Sequence, residues 1–371
     1  MGKKKPVILL TGYLGAGKTT VMNELLRNRN GKKIALIVND IGSVNIDASL
    51  QKKTGTPLQM DTKMVELQNG CICCTLQDEF MTQVEALSND PEIEAILVEA
   101  SGISNPGSIA QGFLMYEEQR KSSVYLSAVV TVVDADRIHT EFLKKLEEVV
   151  EDADGEEDDA DIINLVMDQI EFCNLIILNK CDLLDESAVD EVEKVIHQIQ
   201  PEAEIIRTAQ GKIDPGIIMS EAQFDYEKIY GSSSIQKALL NEEGHEHAEE
   251  EYGITSFVYE ERRPFDYDKF MAFLEHDYPE QIIRAKGYLW FADDDIHVQL
   301  FEQAGRNASV SELSNWVAAL TDEDREEMLK NYPEVRSDWD ETYGDRMNQI
   351  VFIGKDYSRE KLIEQLEECL E

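Results

Sequence analysis

The stretch Pro6-Val7-Ile8-Leu9-Leu10-Thr11-Gly12-Tyr13-Leu14-Gly15-Ala16-Gly17-Lys18-Thr19-Thr20 constrains this chain more than any other. A short apolar run enters the spacing G-x-x-x-x-G-K-T, and the helical pattern Val21, Leu25, Leu26 leaves it. Strand, spacing and helix together favour a phosphate-binding loop over an ordinary glycine-rich turn. Gly12, Gly15 and Gly17 let the backbone of the loop, with Ala16 and Thr20, wrap a phosphate chain with its N–H groups aimed inward at a helix start. Lys18 is expected to reach the β- and γ-phosphate oxygens, and the Thr19 hydroxyl to sit on Mg²⁺. The chain is expected to bind a nucleoside triphosphate.

Further apolar runs supply a mostly parallel sheet, and their ends carry the polar residues. Residues 32–38 read as a strand opening into Asn39-Asp40-Ile41-Gly42-Ser43-Val44-Asn45-Ile46-Asp47. Ligands of open parallel sheets lie beyond the carboxyl ends of the strands, so this loop is placed to sense the γ-phosphate. There Asp40 or Asp47 can orient water or touch the magnesium shell, against the alternative of solvated turn acids. Ala95-Ile96-Leu97-Val98 ends in Glu99-Ala100-Ser101-Gly102. An acid at a strand tip holds Mg²⁺ through water, and Gly102 lets the backbone approach the γ-phosphate. Lys18, Asp40 and Glu99 are thus the candidate catalytic residues.

The base can be named from a later strand. Leu175–Leu178 delivers Asn179-Lys180-Cys181-Asp182. The Asp182 carboxylate can accept from both N1–H and the exocyclic amine of guanine, two donors that adenine does not present there. Asn179 is expected at the base edge, with the Lys180 stem over the ring. Residues 204–207 make a sixth strand, and the Ala209 amide beyond it can touch the guanine oxygen. The expected ligand is GTP.

A second motif is Val65-Glu66-Leu67-Gln68-Asn69-Gly70-Cys71-Ile72-Cys73-Cys74. Three thiols in four positions can converge on one ion, because Zn²⁺ takes thiolates at tetrahedral angles. The fourth position is left to a carboxylate such as Asp40 or Glu66, to water or to an incoming ligand. A cluster of small buried hydrophobes is the alternative.

Composition narrows the partners. A net charge of −40 repels a polyphosphate backbone, which argues against nucleic acid. No run of about 18 apolar residues spans a membrane. Three crowded and three scattered cysteines suit a reduced cytoplasm better than a disulfide framework. The acidic run 151–159 reads as a solvated loop. From about residue 226 the pattern loosens into a linker carrying His245 and His247, two histidines that read as solvated. The expected domains are residues 1–228, a linker 229–251, and a smaller α+β unit 252–371. That unit is expected to hold strands at 254–259, 287–292 and 349–353 and helices at 267–274 and 358–370. No nucleophile or acid–base pair converges there, so it reads as a docking or regulatory module.

Together Gly12–Thr19, Gly70-Cys71-Ile72-Cys73-Cys74, Glu99-Ala100-Ser101-Gly102 and Asn179–Asp182 resemble the CobW-type metal-linked GTPases. Arg284-Ala285-Lys286-Gly287-Tyr288-Leu289-Trp290 and Gln349-Ile350-Val351-Phe352-Ile353-Gly354 look like that family's C-terminal domain. The resemblance implies a P-loop NTPase domain followed by a CobW C-terminal domain. Its implied role is GTP-driven delivery of a transition metal, most often zinc, to a client metalloprotein, as in the bacterial chaperones made under zinc shortage. The family's N-E-F-G-E switch reads Asn39-Asp40-Ile41-Gly42-Ser43 here, which weakens any metal ligand borrowed from that loop. No arginine finger or water-orienting glutamine is evident, so intrinsic turnover is expected to be slow. Cobalt or iron delivery, a GTP-dependent scaffold with structural or redox cysteines, and a homo-oligomer all stay open.

Overall fold

Strands that are apolar at every position belong in a parallel sheet covered on both faces. The computed structural model describes residues 4–27, 32–39, 64–67, 77–102, 104–119, 122–143, 157–218, 224–230, 254–304, 307–337 and 339–371. They divide into two units, Met1–Glu141 with Leu165–Ser233, and Phe142–Asn164 with Ser234–Glu371.

The first unit is built on β1 (Lys5–Thr11), β2 (Ile34–Asn39), β3 (Met64–Leu67), β4 (Ala95–Glu99), β5 (Val124–Asp134), β6 (Leu175–Asn179) and β7 (Glu204–Arg207). Their order is β3-β2-β4-β1-β5-β6-β7, every neighbouring pair being parallel. The sequence reading expects six strands, and β3 is the seventh. It is four residues long and runs into the cysteine motif, so its own pattern is too short to read as a strand. From β1 the chain crosses to β2 on one side, and after β5 it continues to β6 on the other. That reversal beside β1 creates a crevice at the carboxyl edge, where such sheets take ligands.

Helix α1 (Lys18–Arg27) turns Val21, Met22, Leu25 and Leu26 inward against Ile8, Leu10, Leu36, Leu97, Val130 and Ile177. Each such side chain contributes roughly 1.5–3 kcal/mol relative to exposure. Helix α2 (Gln77–Ser88) and helix α3 (Pro106–Gln119) follow β3 and β4. Helix α4 (Glu157–Glu171), which joins this unit from Leu165, takes in the last three residues of the acidic run that reads as a loop; residues 151–156 lie outside the described residues. Helix α5 (Glu186–Ile199) is capped by Asp185, which accepts from the Ala188 N–H at 2.9 Å. It buries Val189, Val192, Val195, Ile196 and Ile199 at helical spacing. Tyr226–Tyr230 is a helical turn, so the expected linker begins with ordered backbone; residues 231–253, with His245 and His247, lie outside the described residues.

The second unit carries an antiparallel sheet of β8 (Ile254–Glu261), β9 (Ile282–Phe291), β10 (Asp294–Ala304), β11 (Asn307–Asn315) and β12 (Asn348–Lys355). Its order is β11-β10-β9-β12-β8. β10 and β11 are absent from the sequence reading. Polar Asn307–Asn315 lies at an edge and lacks the apolar alternation that marks a half-buried strand. Helix α6 (Tyr267–His276), helix α7 (Asp322–Asn331) and helix α8 (Arg359–Glu368) complete the unit. Phe265, Phe270, Phe301 and Phe352 pack with Leu362 and Leu366 in its core. A Cβ on Gly287 would stand 2.1 Å from the Gln349 carbonyl oxygen, so the β9–β12 approach demands glycine there. Among the described residues, no helix is long and apolar enough to cross a membrane.

Candidate functional site

The phosphate loop has the backbone its glycines foretell. Gly12 holds φ +134°, and a Cβ there would lie 2.3 Å from the Val132 oxygen. Gly17 holds φ +105°, with the Asn179 amide nitrogen 2.3 Å from where its Cβ would stand. Either substitution would collide with a neighbouring segment as well as strain the chain. At Gly15 the Cβ direction meets nothing within 4 Å among the described residues, which marks that face of the loop as open to a ligand. Lys18, 9% exposed, folds its ammonium back over the loop and donates to the Gly12 oxygen at 2.7 Å and the Tyr13 oxygen at 3.4 Å. Thr19 and Thr20 continue the first turn of α1, so backbone N–H groups, helix dipole and ammonium converge on one spot.

At the end of β6 the structure adds contacts to the residue expected at the base edge. Asn179 is 3% exposed, and both ends of its amide are engaged by protein. Its Nδ2 donates to the Ala16 oxygen at 2.9 Å, and its Oδ1 accepts from the Gly211 N–H at 3.0 Å. It staples the phosphate loop to the turn after β7, and the second N–H of its amide can still serve the base edge expected of it. That turn contains Ala209, Gln210 (φ 54°) and Gly211 (φ 67°), and the Lys212 N–H donates to the Ala209 oxygen at 3.3 Å. Lys180 adopts φ 63°, and its ammonium forms an ion pair with Asp134 at the end of β5. Asp182 is exposed on the turn Cys181–Leu183, with its carboxylate open to a ligand.

The opposite end of the loop is framed by other elements. Glu99 ends β4, pairs in register with Leu10 and Val38, and is 3% exposed. A carboxylate sheltered at a strand end beside Thr19's helix fits a hard cation's demand for oxygen ligands, as Mg²⁺ requires. A Cβ on Gly102 would sit 3.1 Å from Leu14 Cγ, so this loop rests on the phosphate loop. Gln169 of α4, 1% exposed, donates from Nε2 to the Gly102 oxygen at 3.1 Å and the Ser104 oxygen at 3.3 Å. Its backbone oxygen accepts from the Thr131 hydroxyl at 2.7 Å. Arg137 donates to the Leu14 oxygen at 3.3 Å and stacks its guanidinium 5.1 Å above the Tyr13 ring. Neither Gln169 nor Arg137 belongs to a motif, and only the assembled sheet brings them to the loop.

Asp40, Asp47, Cys71, Cys73 and Cys74 lie outside the described residues, and Glu66 is described only through the backbone of β3. β3 still fixes the origin of the cysteine segment, because Leu67 pairs in register with Asn39 and Val38 pairs with Glu99. Among the described residues, no group of three or more His, Cys, Asp or Glu side chains could hold a metal ion. Burial pushes the Cys173 thiol up to about 12 and the Cys369 thiol up to about 11, so both stay protonated and poor as ligands.

Fold and loop chemistry define a P-loop GTPase. The family model for the CobW/HypB/UreG nucleotide-binding domain matches residues 6–207, and that for the cobalamin synthesis protein cobW C-terminal domain matches residues 254–370. The chain therefore belongs to the CobW family. It is 34% identical over 388 residues to "Zinc-regulated GTPase metalloprotein activator 1" of Dictyostelium discoideum, covering 99% of this chain and 80% of that one. "Zinc chaperone CobW" of Sinorhizobium is 31% identical over 296 residues, covering 77% of this chain and 81% of that one. "Zinc chaperone YjiA" of Escherichia coli is 25% identical over 366 residues, covering 96% of each.

Proposed function

We propose that this chain is a GTP-hydrolysing metallochaperone that takes zinc at Cys71, Cys73 and Cys74 and releases it to a client metalloprotein under GTP control. One observation carries the reading: β3 ends at the same sheet edge as the phosphate loop, and Cys71 follows Leu67 by four residues. Four residues reach at most about 14 Å. β3 stands three strand spacings from β1, which is also about 14 Å. The thiols are therefore tethered within range of the triphosphate.

GTP lies with its phosphates on Gly12–Thr20 and its guanine at Asp182 and the Ala209 amide. Asn179 meets the base edge while it holds the turns around it, the Lys180 stem covers the ring, and Gly102 lets the chain approach the γ-phosphate. Thr19 and Glu99 would hold Mg²⁺, which would supply positive charge to offset that of the triphosphate. Lys18 adds a fixed cation there. Asp40 is suited to orient the attacking water or to complete the zinc site, as is Glu66 for the zinc. Zinc is the cargo, its relatives' names giving the choice over cobalt or iron. A thiolate site of this kind belongs in the reducing cytoplasm.

Occupancy of the two sites is linked, so GTP must change zinc affinity by the factor through which zinc changes GTP affinity. A zinc competition titration, run once with a non-hydrolysable GTP analogue and once with GDP, is expected to give different zinc affinities. Cys73→Ala or Cys74→Ala should abolish tight stoichiometric zinc binding while leaving GTP affinity of the zinc-free protein intact. Equal zinc affinity in both nucleotide states would end the delivery reading. If a thiol oxidant then reproduced the effect of zinc removal, a redox scaffold would stand in its place.

A further inference from the structure

We infer that Arg137 is a cationic catalytic residue supplied from within the chain, stabilising the charge that develops between the β- and γ-phosphates as GTP is hydrolysed. The inference rests on GTP occupying the phosphate loop.

The polarity of the loop locates the residue. Asn179 touches Ala16 and Gly17 and leads through Asp182 to the guanine end. Leu14 touches Gly102, which follows Glu99, and so belongs to the end where the terminal phosphate lies. Arg137 reaches this second end: its Nη1 is 3.3 Å from the Leu14 oxygen, and its plane covers the Tyr13 ring at 5.1 Å. Next to Leu14, Gly15 presents the open face of the loop.

Two further contacts fix the side chain's root. The Arg137 N–H donates to Asp134 Oδ1 at 3.2 Å, capping the turn Ala135–Arg137. That turn follows β5 directly, and β5 pairs with β1 as far as Thr131 and with β6 as far as Asp134. The guanidinium thus stands on the rigid central strands, unlike a finger inserted by a separate activating protein. A planar group with five donors can serve several acceptors at once, and it can exchange one of them for a phosphate oxygen when the nucleotide arrives.

In the reaction, a water oxygen attacks Pγ, the bond from Pγ to the bridging oxygen breaks, and its electron pair stays on GDP. The water's proton ends on inorganic phosphate. Arg137 remains a cation throughout and only offsets the charge gathering on the bridging and γ-oxygens.

The test uses the full-length protein with Arg137→Ala, Arg137→Lys and Arg137→Gln. Single-turnover GTP hydrolysis should fall about a thousandfold in Arg137→Ala, the lower end of what such an arginine supplies. GDP affinity should stay within about threefold, whereas the GDP–aluminium fluoride complex, which imitates the transferring phosphoryl group, should no longer form. Arg137→Lys should recover only part of the rate, because it keeps the charge and loses the planar fork. If Arg137→Ala fails to fold, Arg137→Gln decides the matter by preserving shape without charge. Hydrolysis and aluminium fluoride binding both retained would reduce Arg137 to a latch on Leu14 and overturn the inference. Equal losses of GDP and GTP-analogue affinity would also overturn it, as a ground-state contact. Failure of the underlying GTP reading would look different, since the unsubstituted protein would then neither bind nor hydrolyse GTP.

Discussion

Both units bury polar side chains, but they place them differently. In the parallel unit Ser127 and Thr131 are buried within β5, but Lys18, Glu99, Ser101, Asn179 and Thr208 are buried beyond or at strand ends, around a crevice. In the antiparallel unit Arg284, Gln303, Asn348 and Gln349 are buried within the strands themselves. Gln303 Nε2 donates to the Ile282 oxygen at 3.1 Å, and Asn348 joins the Trp290 N–H at 2.8 Å to the Arg263 oxygen at 2.8 Å. These groups tie strand to strand. A parallel sheet brings all its carboxyl ends to one edge, so its polar residues gather into a site. An antiparallel sheet sends alternate ends to opposite edges, and its buried polar groups serve the core.

Removing a polar anchor from each unit tests that contrast. The largest expected stability effect is at Arg284, which is fully buried and donates to Asn164 Oδ1 at 2.9 Å, with Glu302 Oε1 3.8 Å away. Arg284→Ala should lower unfolding free energy by about 3 kcal/mol or more, since it leaves polar partners buried and a cavity behind. Denaturant unfolding would measure it, and nucleotide affinity should not move. A large loss of GTP affinity in this variant would break the contrast.

A pair of substitutions at the β6 end sharpens it. Asn179→Ala should weaken GTP and ATP by a similar factor, about 2 kcal/mol, because the loss is dominated by unfastening two loops that hold either nucleotide. Asp182→Asn should lose about 2–3 kcal/mol for GTP while improving binding of xanthosine triphosphate, whose carbonyl suits an amide donor. Fluorescent-nucleotide titrations separate the two. A base-selective loss in Asn179→Ala would make the base edge, not the loops, that residue's main contact.

The smallest effect belongs to the β9–β10 hairpin. Asp294 Oδ1 accepts from the Ile296 and His297 N–H groups at 3.0 Å each, and its carboxylate faces the His297 ring. Burial opposes its ionisation, but these donors outweigh burial and hold its pKa below the usual value. Stability from a depressed carboxyl is complete above its unfolded pKa and fades as pH falls through the folded one. Asp294→Ala should therefore cost about 1 kcal/mol at neutral pH and progressively less below about pH 4, as read from unfolding curves across pH. A constant difference down to acid would refute the assignment.

The sequence made the first unit readable because its strands are continuous apolar runs and its site residues sit in short motifs at their ends. Gly12, Gly17 and Lys18 needed only their spacing. Gln169 and Arg137 were illegible for the complementary reason: each acts across the sheet, 67 residues from Gly102 in one case and 123 from Leu14 in the other. Asn179 was visible but its bonding was not, because an amide can serve base or backbone and only the fold decides. β10 and β11 escaped since one strand begins in a polar hairpin turn and the other is a polar edge.

Asp134 serves two turns with its two oxygens. One oxygen caps the turn that carries Arg137, and the other meets the ammonium of Lys180. A single carboxylate is thereby the common footing of the turns that follow β5 and β6. With GTP seated as proposed, neutralising it would loosen both turns together, so accuracy in choosing the base and speed in releasing the γ-phosphate are not separately adjustable at that position.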